Sequence, residues 1–201
     1  MFNDPIKKAK EWAENSYFDL ESRNELQDLF KKNDLKEITE RFHSDLEFGT
    51  GGLRSIIGFG SNRINKYTIR KATQALANEV LKQNLSNPKV VISYDSRRFS
   101  YEFAQETASV LAGNNIKAYL FKKLNPVALL SFAVRSYKAS AGVMITASHN
   151  PPIYNGYKVY WDDGCQVTPP TDKNIISNYQ GIDNFNQVKL LSFEEGIQNG
   201  L

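Results

Sequence analysis

A serine, a histidine and an asparagine stand side by side in the segment Thr146–Pro151. The hydroxyl of Ser148 can act as a nucleophile toward phosphorus if polar neighbours position it or the phosphate, and His149 and Asn150 are candidates for that task. The two consecutive prolines that follow disfavour a helix and favour a turn at Asn150, so Ser148 is predicted to lie on a tight bend. Taken by itself, this composition is more typical of a plain polar loop between a strand and a hairpin.

The segments around Ser148 alternate between strand-like and helix-like patterns. The run Ala141–Ile145 is short, apolar and partly β-branched, which is typical of a strand buried on both faces. Predicted strands cover residues 90–94, 118–121, 141–145 and 156–161, and predicted helices cover 67–83, a segment capped by Ser100, a segment after Pro126 and a segment after Pro170. This alternation predicts an α/β fold, a three-layer α/β/α arrangement with a mostly parallel mixed sheet.

Polar residues follow two of the predicted strands. Ligands of such sheets gather beyond the carboxyl ends of the strands, and Arg97 and Ser148 both follow strands, so they should emerge at the same edge. In the strand over residues 156–161, alternation puts Tyr157 on one face and Lys158 on the other, where Lys158 points at the site or at solvent. An exposed structural lysine is the usual outcome at such a position.

The stretch Phe48–Gly60 contains five glycines and breaks the helical pattern that precedes it. It has neither the Gly-Lys-Ser/Thr ending of a P-loop nor the third glycine of a dinucleotide-binding motif. We expect a glycine-rich loop in which Arg54 and backbone N–H groups could be offered to a phosphate. A plain connecting loop fits the same residues.

Residues 1–45 are predicted to be an N-terminal helical appendage. Asp4 before Pro5 is typical of a helix start, Ser22 with Glu25 forms a capping-box pattern, and Asp34 opens a third helix. Residues 46–190 would form the main domain. Residues 191–201 would begin a linker or a further, truncated domain, with a helix start near Phe193.

The composition is that of a globular protein, with 41% hydrophobic and 23% charged residues and a net charge of +3 over 201 residues. The lysines are scattered, so no nucleic-acid partner is indicated. No signal peptide or membrane-length apolar run is recognisable, and no membrane partner is expected. The single cysteine, Cys165, fits a reducing compartment, and a cytoplasmic location is the expectation.

Three motifs together resemble those of the α-D-phosphohexomutase superfamily, the phosphoglucomutases and phosphomannomutases. Residues 146–152 with the nearby segment Asn155–Lys158 resemble its phosphoserine loop, and Phe48–Arg54 and Tyr94–Arg97 match two further motifs in the same order. The resemblance covers about residues 45 to 190, and more weakly the N-terminal helices and the tail, which look like those of the longer phosphoglucomutase and phosphopentomutase-like branch. It implies the first of four domains.

The resemblance also implies catalytic roles. Ser148 would be the phosphoserine, whose phosphoryl group passes to a sugar hydroxyl and forms a bisphosphate intermediate. Lys158 would assist proton transfer or steady the transferring group, His149 would support the loop, and Arg54 would approach the phosphoserine. Phosphoryl transfer depends mainly on such positioning and charge neutralisation.

Substrate and cofactor expectations follow from the same resemblance. Arg97 and Asn150 would bind substrate, and Ser148 would contribute to a Mg²⁺ site through its phosphate. A hexose 1,6-bisphosphate would be the activator or intermediate, and the partners would be a phosphosugar and the remaining domains of a longer parent. No Asp-x-Asp-x-Asp-Arg metal loop occurs in the sequence.

The expected function is that of the N-terminal domain of a mutase that moves a phosphoryl group between the 1- and 6-hydroxyls of a hexose, with the isolated chain inactive. Alternatives within the family are a phosphopentomutase and a sugar-bisphosphate synthase. A non-catalytic phosphosugar-binding module and a structural or partner-binding domain are further alternatives.

Overall fold

The computed structural model describes residues 4–49 and 52–201. Their strands are β1 (Gly52–Ile56), β2 (Lys89–Tyr94), β3 (Lys117–Leu120), β4 (Ala141–Ile145) and β5 (Tyr154–Trp161). Their α-helices are α1 (Pro5–Glu14), α2 (Leu20–Lys31), α3 (Leu35–Phe42), α4 (Lys66–Leu81), α5 (Ser100–Gly113), α6 (Val127–Ser136), α7 (Thr171–Gln180) and α8 (Phe193–Gln198). A single 3₁₀ turn in the described chain covers Phe185–Gln187.

The five strands form one mixed sheet in the order β1-β5-β4-β2-β3. Strand β2 pairs in parallel with both β3 and β4, whereas β5 pairs antiparallel with both β4 and β1. Only β5 therefore runs against the other four strands. The predicted mostly parallel mixed sheet is confirmed.

The two faces of the sheet are covered unequally. On one face, helices α4, α5 and α7 pack against alternate sheet residues, which include Ile92, Val143 and Tyr157. On the other face, α6 packs over a smaller cluster around Val91 and Met144. These helices and the sheet between them make the predicted three-layer arrangement, with the larger core on the first face.

The N-terminal helices α1, α2 and α3 enclose an aromatic cluster of their own. Trp12 and Phe18 stack with ring centroids 4.3 Å apart, and Phe59 and Tyr67 of the main domain complete the cluster. The hydroxyl of Tyr67 also donates to Asp19 Oδ2 at 2.6 Å. The appendage is therefore joined to the main domain by shared aromatic packing and a hydrogen bond to a carboxylate.

The predicted caps of α1 and α3 are confirmed, but that of α2 is wrong. Asp4 and Asp34 cap their helices through their carboxylates. In α2 the cap is Asp19, whose Oδ1 accepts from the backbone N–H of Ser22 at 2.8 Å, so the helix begins before Ser22. Asp19, three residues upstream, is therefore the cap, and Ser22 lies within the first turn of the helix.

Two other local predictions need correction. Residues 52–56, predicted as part of a glycine-rich loop, form the edge strand β1, so Arg54 lies on a strand; Thr50 and Gly51 of that stretch lie outside the described residues. Ser100 does not cap α5, because it is the first residue of the helix and Phe99 occupies the cap position in a left-handed conformation with φ 61°. The hydroxyl of Ser100 instead donates to Asp95 Oδ1 at 2.8 Å and accepts from Asn155 Nδ2 at 3.0 Å.

The remaining elements match the predicted alternation within a few residues, and a helix does begin at Phe193. Tyr157 and Val159 lie in the larger core, while Tyr160 packs on the opposite face, as alternation predicted. Among the residues that the structure describes, no helix is both long enough and apolar enough to cross a membrane.

Gly156 in β5 provides a test of how tightly the strands beside Ser148 are packed. A Cβ at this position would lie 2.5 Å from the backbone oxygen of Thr146 and 2.7 Å from that of Leu53, so neither neighbour could move without shifting a strand. We expect Gly156→Ala to lower the free energy of unfolding by about 2 kcal/mol or more. Urea-induced unfolding followed by circular dichroism measures this change.

Gly181→Ala is the matched control, because its Cβ would meet no atom closer than 3.4 Å and the residue has a negative φ. We expect a change within about 0.5 kcal/mol there. Equal stability losses in the two variants would contradict the packing argument for Gly156.

Candidate active site

Ser148 lies in the serine loop, which we define as residues 146–153 between β4 and β5. Its backbone is left-handed, with φ 57°, and its side chain is exposed. The backbone N–H of Ser148 donates to Thr146 Oγ1 at 2.9 Å, and that of Asn150 donates to the carbonyl oxygen of Ala147 at 3.1 Å. A serine with a left-handed backbone conformation is uncommon. The two hydrogen bonds hold the bend that presents the hydroxyl of Ser148 outward.

Asp95, directly after β2, connects the serine loop to the neighbouring strand. Its Oδ2 accepts from Thr146 Oγ1 at 2.6 Å, while its Oδ1 accepts from the backbone N–H of Arg97 at 3.0 Å. The hydroxyl of Thr146 thus donates to a carboxylate and accepts from the N–H of Ser148. A short, charge-assisted hydrogen bond thus adds to the backbone bond between Asp95 and Ile145 that joins the two strand ends.

Arg97 crosses from the β2 end to the serine loop. Its Nη2 donates to the carbonyl oxygens of Ser148 and Asn150, both at 2.7 Å. Its Nη1 donates to those of Pro151 at 3.0 Å and Tyr154 at 3.1 Å. The prediction that Arg97 and Ser148 emerge at the same sheet edge is confirmed. The substrate-binding role of Arg97 stays a prediction, which these contacts do not favour.

Arg54 reaches the serine loop from the opposite side. Its Nη1 donates to Asn150 Oδ1 at 2.8 Å, and the rest of the side chain is exposed. The contact uses the side-chain oxygen of Asn150, whose backbone carbonyl Arg97 already holds. Two guanidinium groups therefore approach the loop that carries Ser148, one from β1 and one from the end of β2.

Lys158 lies on the same face of the sheet as Arg54. Arg54 pairs with Gly156 across β1 and β5, and Lys158 is two residues further along β5, which makes the two cations diagonal neighbours. Burial of Lys158 lowers the pKa of its ammonium, and the nearby charge of Arg54 lowers it further. No salt bridge or hydrogen bond of the Lys158 ammonium is found with the described part of the chain.

His149 and Ser148 are close but not firmly bonded. The Nδ1 atom of His149 lies 3.4 Å from Ser148 Oγ, and both side chains are exposed. A distance at the limit of hydrogen bonding allows the imidazole to shorten its contact when a ligand arrives. His149 therefore lies beside the candidate nucleophile, close enough to support the serine loop as predicted.

Asn155 lies in the motif segment Asn155–Lys158, but no role was predicted for it. The side chain is fully buried, and its Nδ2 donates to the carbonyl oxygen of Arg98 at 2.9 Å and to Ser100 Oγ at 3.0 Å. Asp95 and Thr146 also lie in the motifs without a predicted role. Their sequence positions do not indicate which residues they bond.

The described residues do not by themselves fit a divalent metal ion. Within residues 4–49 and 52–201, no group of three or more His, Cys, Asp or Glu side chains is arranged to hold one. Mg²⁺ requires several oxygen ligands in near-octahedral geometry. The carboxylate of Asp95, which lies nearest the serine loop, is already engaged by Thr146, Arg97 and Ser100.

An α/β domain that presents an exposed serine beside arginines and a lysine has the features of a phosphoryl-transfer domain. Comparison with known proteins agrees with this class. The family model for phosphoglucomutase/phosphomannomutase, alpha/beta/alpha domain I, matches residues 45–186. The chain therefore belongs to the phosphoglucomutase/phosphomannomutase family and contains domain I of that family.

Curated relatives include two kinds of mutase. The phosphoglucomutase of Staphylococcus epidermidis is 43% identical over 154 residues, which cover 77% of this chain and 28% of that protein. The phosphoribomutase of Saccharomyces cerevisiae is 44% identical over 153 residues, which cover 73% of this chain and 24% of that protein. The chain thus spans about a quarter of the length of these relatives.

Solved structures share the fold. A crystal structure from Thermus thermophilus, of a protein assigned as a phosphomannomutase, superposes with a TM-score of 0.62 at 34% identity over 68% of this chain and 30% of that chain. A phosphoglucomutase/phosphomannomutase family protein of Burkholderia thailandensis gives a TM-score of 0.59 at 21% identity over 74% of this chain and 32% of that chain, a likeness of fold alone.

The Thr146 hydroxyl provides a test of the link between the two strand ends. Thr146→Val removes the donor to Asp95 and the acceptor for the N–H of Ser148, which leaves polar groups unpaired. We expect a loss of about 1–3 kcal/mol in the free energy of unfolding. Thr146→Ser keeps the hydroxyl and should lose about 1 kcal/mol or less. Urea-induced unfolding of both variants distinguishes the outcomes, and equal losses would argue against the hydroxyl's role.

The pKa of Lys158 should respond to Arg54. In the wild type, the pKa of Lys158 is lower in the folded chain than the value of 10.5 expected in the unfolded chain. Between these two pKa values the unfolded chain binds more protons at Lys158, so the contribution of Lys158 to the free energy of unfolding rises with pH in that range. Arg54→Gln removes a neighbouring cation, and we expect the pKa of Lys158 to rise while burial keeps it below 10.5. NMR titration of ¹³C-labelled lysine side chains measures both values.

Arg98→Gln is the control for that titration, because Arg98 does not contribute to the shift of Lys158. It should leave the Lys158 titration unchanged. A Lys158 pKa that is insensitive to Arg54→Gln would remove the proposed electrostatic link between the two side chains.

Proposed function

We propose that this chain is the phosphoserine-bearing domain of a phosphosugar mutase, with Ser148 as the residue that carries the phosphoryl group. The observation that supports this most directly is the left-handed bend at Ser148, which presents an exposed hydroxyl while Thr146 holds its backbone N–H. Arg54 and Lys158 supply positive charge on one face of the sheet beside the loop. Phosphoryl transfer needs this combination of a fixed acceptor oxygen and nearby cations.

The proposed reaction transfers the phosphoryl group twice. In the first transfer, the phosphorus–oxygen bond to Ser148 breaks, a bond to a sugar hydroxyl forms, and the proton of that hydroxyl is removed by a base. The Ser148 oxygen takes up a proton as it leaves. The resulting sugar bisphosphate then reorients, and Ser148 Oγ loses that proton and attacks the other phosphate. A phosphorus–oxygen bond to Ser148 forms, the bond between that phosphorus and the sugar oxygen breaks, and the sugar oxygen takes up a proton. The serine is regenerated in phosphorylated form, and the sugar phosphate leaves with its phosphate at a different position.

Lys158 is the side chain that we assign to proton transfer or to steadying the transferring group. Its lowered pKa makes the ammonium more ready to release a proton than an exposed lysine would be. Arg54 keeps its charge throughout and can neutralise phosphate oxygens, while its bond to Asn150 keeps the guanidinium at the loop. Asn150 would bind substrate indirectly, through the arginine that it orients, or directly after that bond opens.

The substrate that we propose first is a hexose phosphate, with transfer between the 1- and 6-hydroxyls through a hexose 1,6-bisphosphate. A pentose phosphate is the second candidate, since a phosphoribomutase is as similar to this chain as a phosphoglucomutase is. A sugar-bisphosphate synthase or a phosphosugar-binding module would use the same loop. This chain covers about a quarter of these relatives, and their names point to different sugars, so both sugars should be tested.

Most of the magnesium ligands in the proposal lie outside this chain. A phosphate on Ser148 would supply one oxygen ligand, and the remaining ligands would come from other domains of a longer parent, because the described residues form no carboxylate cluster. For the same reason we propose that the isolated chain lacks steady mutase turnover. Single phosphoryl transfer to Ser148 is the activity that it can be tested for.

Phosphoryl labelling tests the role of Ser148. The chain is incubated with glucose 1,6-bisphosphate, or with ribose 1,5-bisphosphate, in the presence of Mg²⁺. We expect intact-mass measurement to show one added phosphoryl group, and peptide mapping to place it on Ser148. Ser148→Ala should remain unlabelled, because the other hydroxyl of the serine loop, that of Thr146, is buried and donates to Asp95.

The control for this experiment is Ser96→Ala. Ser96 is an exposed serine after β2 at the same sheet edge, so its loss should leave the labelling unchanged. An unlabelled wild-type chain, or equal labelling of wild type and Ser148→Ala, would contradict the proposed nucleophile. Saturable binding of a sugar phosphate without any labelling would favour the binding-module alternative.

A further inference from the structure

We propose that Arg97 is a positioning residue that holds the serine loop in its reactive shape, and that it does not bind substrate. The proposal rests on the proposed function of Ser148 but concerns a different set of contacts. We call these contacts the carbonyl clamp, which consists of the Arg97 guanidinium and the carbonyl oxygens of Ser148, Asn150, Pro151 and Tyr154.

The clamp occupies both terminal nitrogens of the guanidinium. An arginine side chain has five N–H donors in a planar fork. Nη1 and Nη2 of Arg97 each donate to two carbonyl oxygens, and the remaining nitrogen, Nε, lies 3.4 Å from Asp95 Oδ2. All four N–H groups of the two Nη atoms therefore donate to protein oxygens, and these atoms could bind a phosphate only after clamp bonds had broken.

The surroundings of Arg97 match a structural task. The side chain is 14% exposed, and the carboxylate of Asp95 compensates its charge. Neither Arg54 nor Lys158 has such a carboxylate partner among the described side chains that form ion pairs. The charges that remain available to a phosphate therefore belong to Arg54 and Lys158, while that of Arg97 is used within the protein.

The clamp also explains how a strained loop stays in one conformation. The carbonyl oxygens of a short polar loop that contains consecutive prolines lack the regular partners of a helix or sheet. Arg97 supplies donors to three of them, those of Ser148, Asn150 and Pro151, and to the carbonyl oxygen of Tyr154, the first residue of β5. The position of Ser148 Oγ is thereby tied to the ends of β2 and β5.

This fixed position matters for the proposed reaction. The sugar bisphosphate must reorient between the two transfers, so the serine is the reacting group that has to stay in place. A small displacement of a reacting atom can reduce a rate by orders of magnitude. A lysine at position 97 would keep the charge, but its single nitrogen could not reach four carbonyl oxygens at once.

Amide hydrogen exchange tests the clamp without depending on any activity. We compare Arg97→Lys and Arg97→Ala with the wild-type chain and with Arg98→Lys, a conservative change at the exposed neighbouring arginine. Both Arg97 variants should exchange roughly tenfold faster than wild type in peptides that cover residues 146–154, with β2 and β4 unchanged. Arg98→Lys should behave as the wild type does.

Labelling kinetics then distinguish positioning from substrate binding. With glucose 1,6-bisphosphate as the phosphoryl donor, Arg97→Ala should lower the maximal rate of Ser148 labelling by at least about tenfold and change the half-saturating concentration by less than about threefold. Added guanidinium ion at non-denaturing concentration should restore part of the rate in Arg97→Ala. Methylammonium at the same concentration should not, because it lacks the planar donors.

The outcomes separate the two proposals. Unchanged exchange of the serine loop in both Arg97 variants would overturn the clamp, and so would a raised half-saturating concentration with an unchanged maximal rate, which would assign Arg97 to substrate. If the wild-type chain is not labelled at all, the proposed function of Ser148 fails, while the exchange experiment still decides whether Arg97 holds the loop.

Discussion

The hydrogen bond between Thr146 Oγ1 and Asp95 Oδ2, at 2.6 Å, joins the ends of two neighbouring parallel strands, and the candidate site depends on it. Through Thr146 the bond reaches the backbone N–H of Ser148, and through Asp95 it reaches Arg97 and Ser100. A buried or half-buried carboxylate that satisfies several donors at once gives a loop of polar residues a single conformation. The exposed serine is thus supported by a network whose members are themselves largely shielded.

The sheet determines where positive charge is available. Strand β5 lies between β4 and β1, so it brings Lys158 and Arg54 together on one face, while Gly156 lets the three backbones approach closely. That face is covered only in part, because α6 packs over the cluster around Val91 and Met144. The two cations therefore remain accessible, and their mutual repulsion adds to burial in lowering the pKa of Lys158.

The three arginines near the site have different partners, and the partners indicate different tasks. Arg54 makes one contact with the serine loop and is otherwise exposed, which leaves donors for a ligand. The guanidinium of Arg97 donates to backbone carbonyl oxygens, and Asp95 compensates its charge. The guanidinium of Arg98 lies over the ring of Phe99, 5.7 Å from its centroid. Residue type alone would have assigned all three to phosphate binding.

The sequence by itself determined the alternation of strands and helices, the burial of Tyr157 opposite Lys158, and the position of Ser148 beyond a buried strand, because these follow from local periodicity. It did not determine that residues 52–56 form a strand, since an edge strand with a glycine becomes recognisable only from its pairing with β5. Only the tertiary structure decided that Asp95 bonds Thr146 and that Arg97 bonds the carbonyl oxygen of Ser148, since each of these two pairs is 51 residues apart in the chain. Hydrogen bonds between residues so far apart in the chain depend on which strand ends become neighbours, and the local sequence pattern does not specify this.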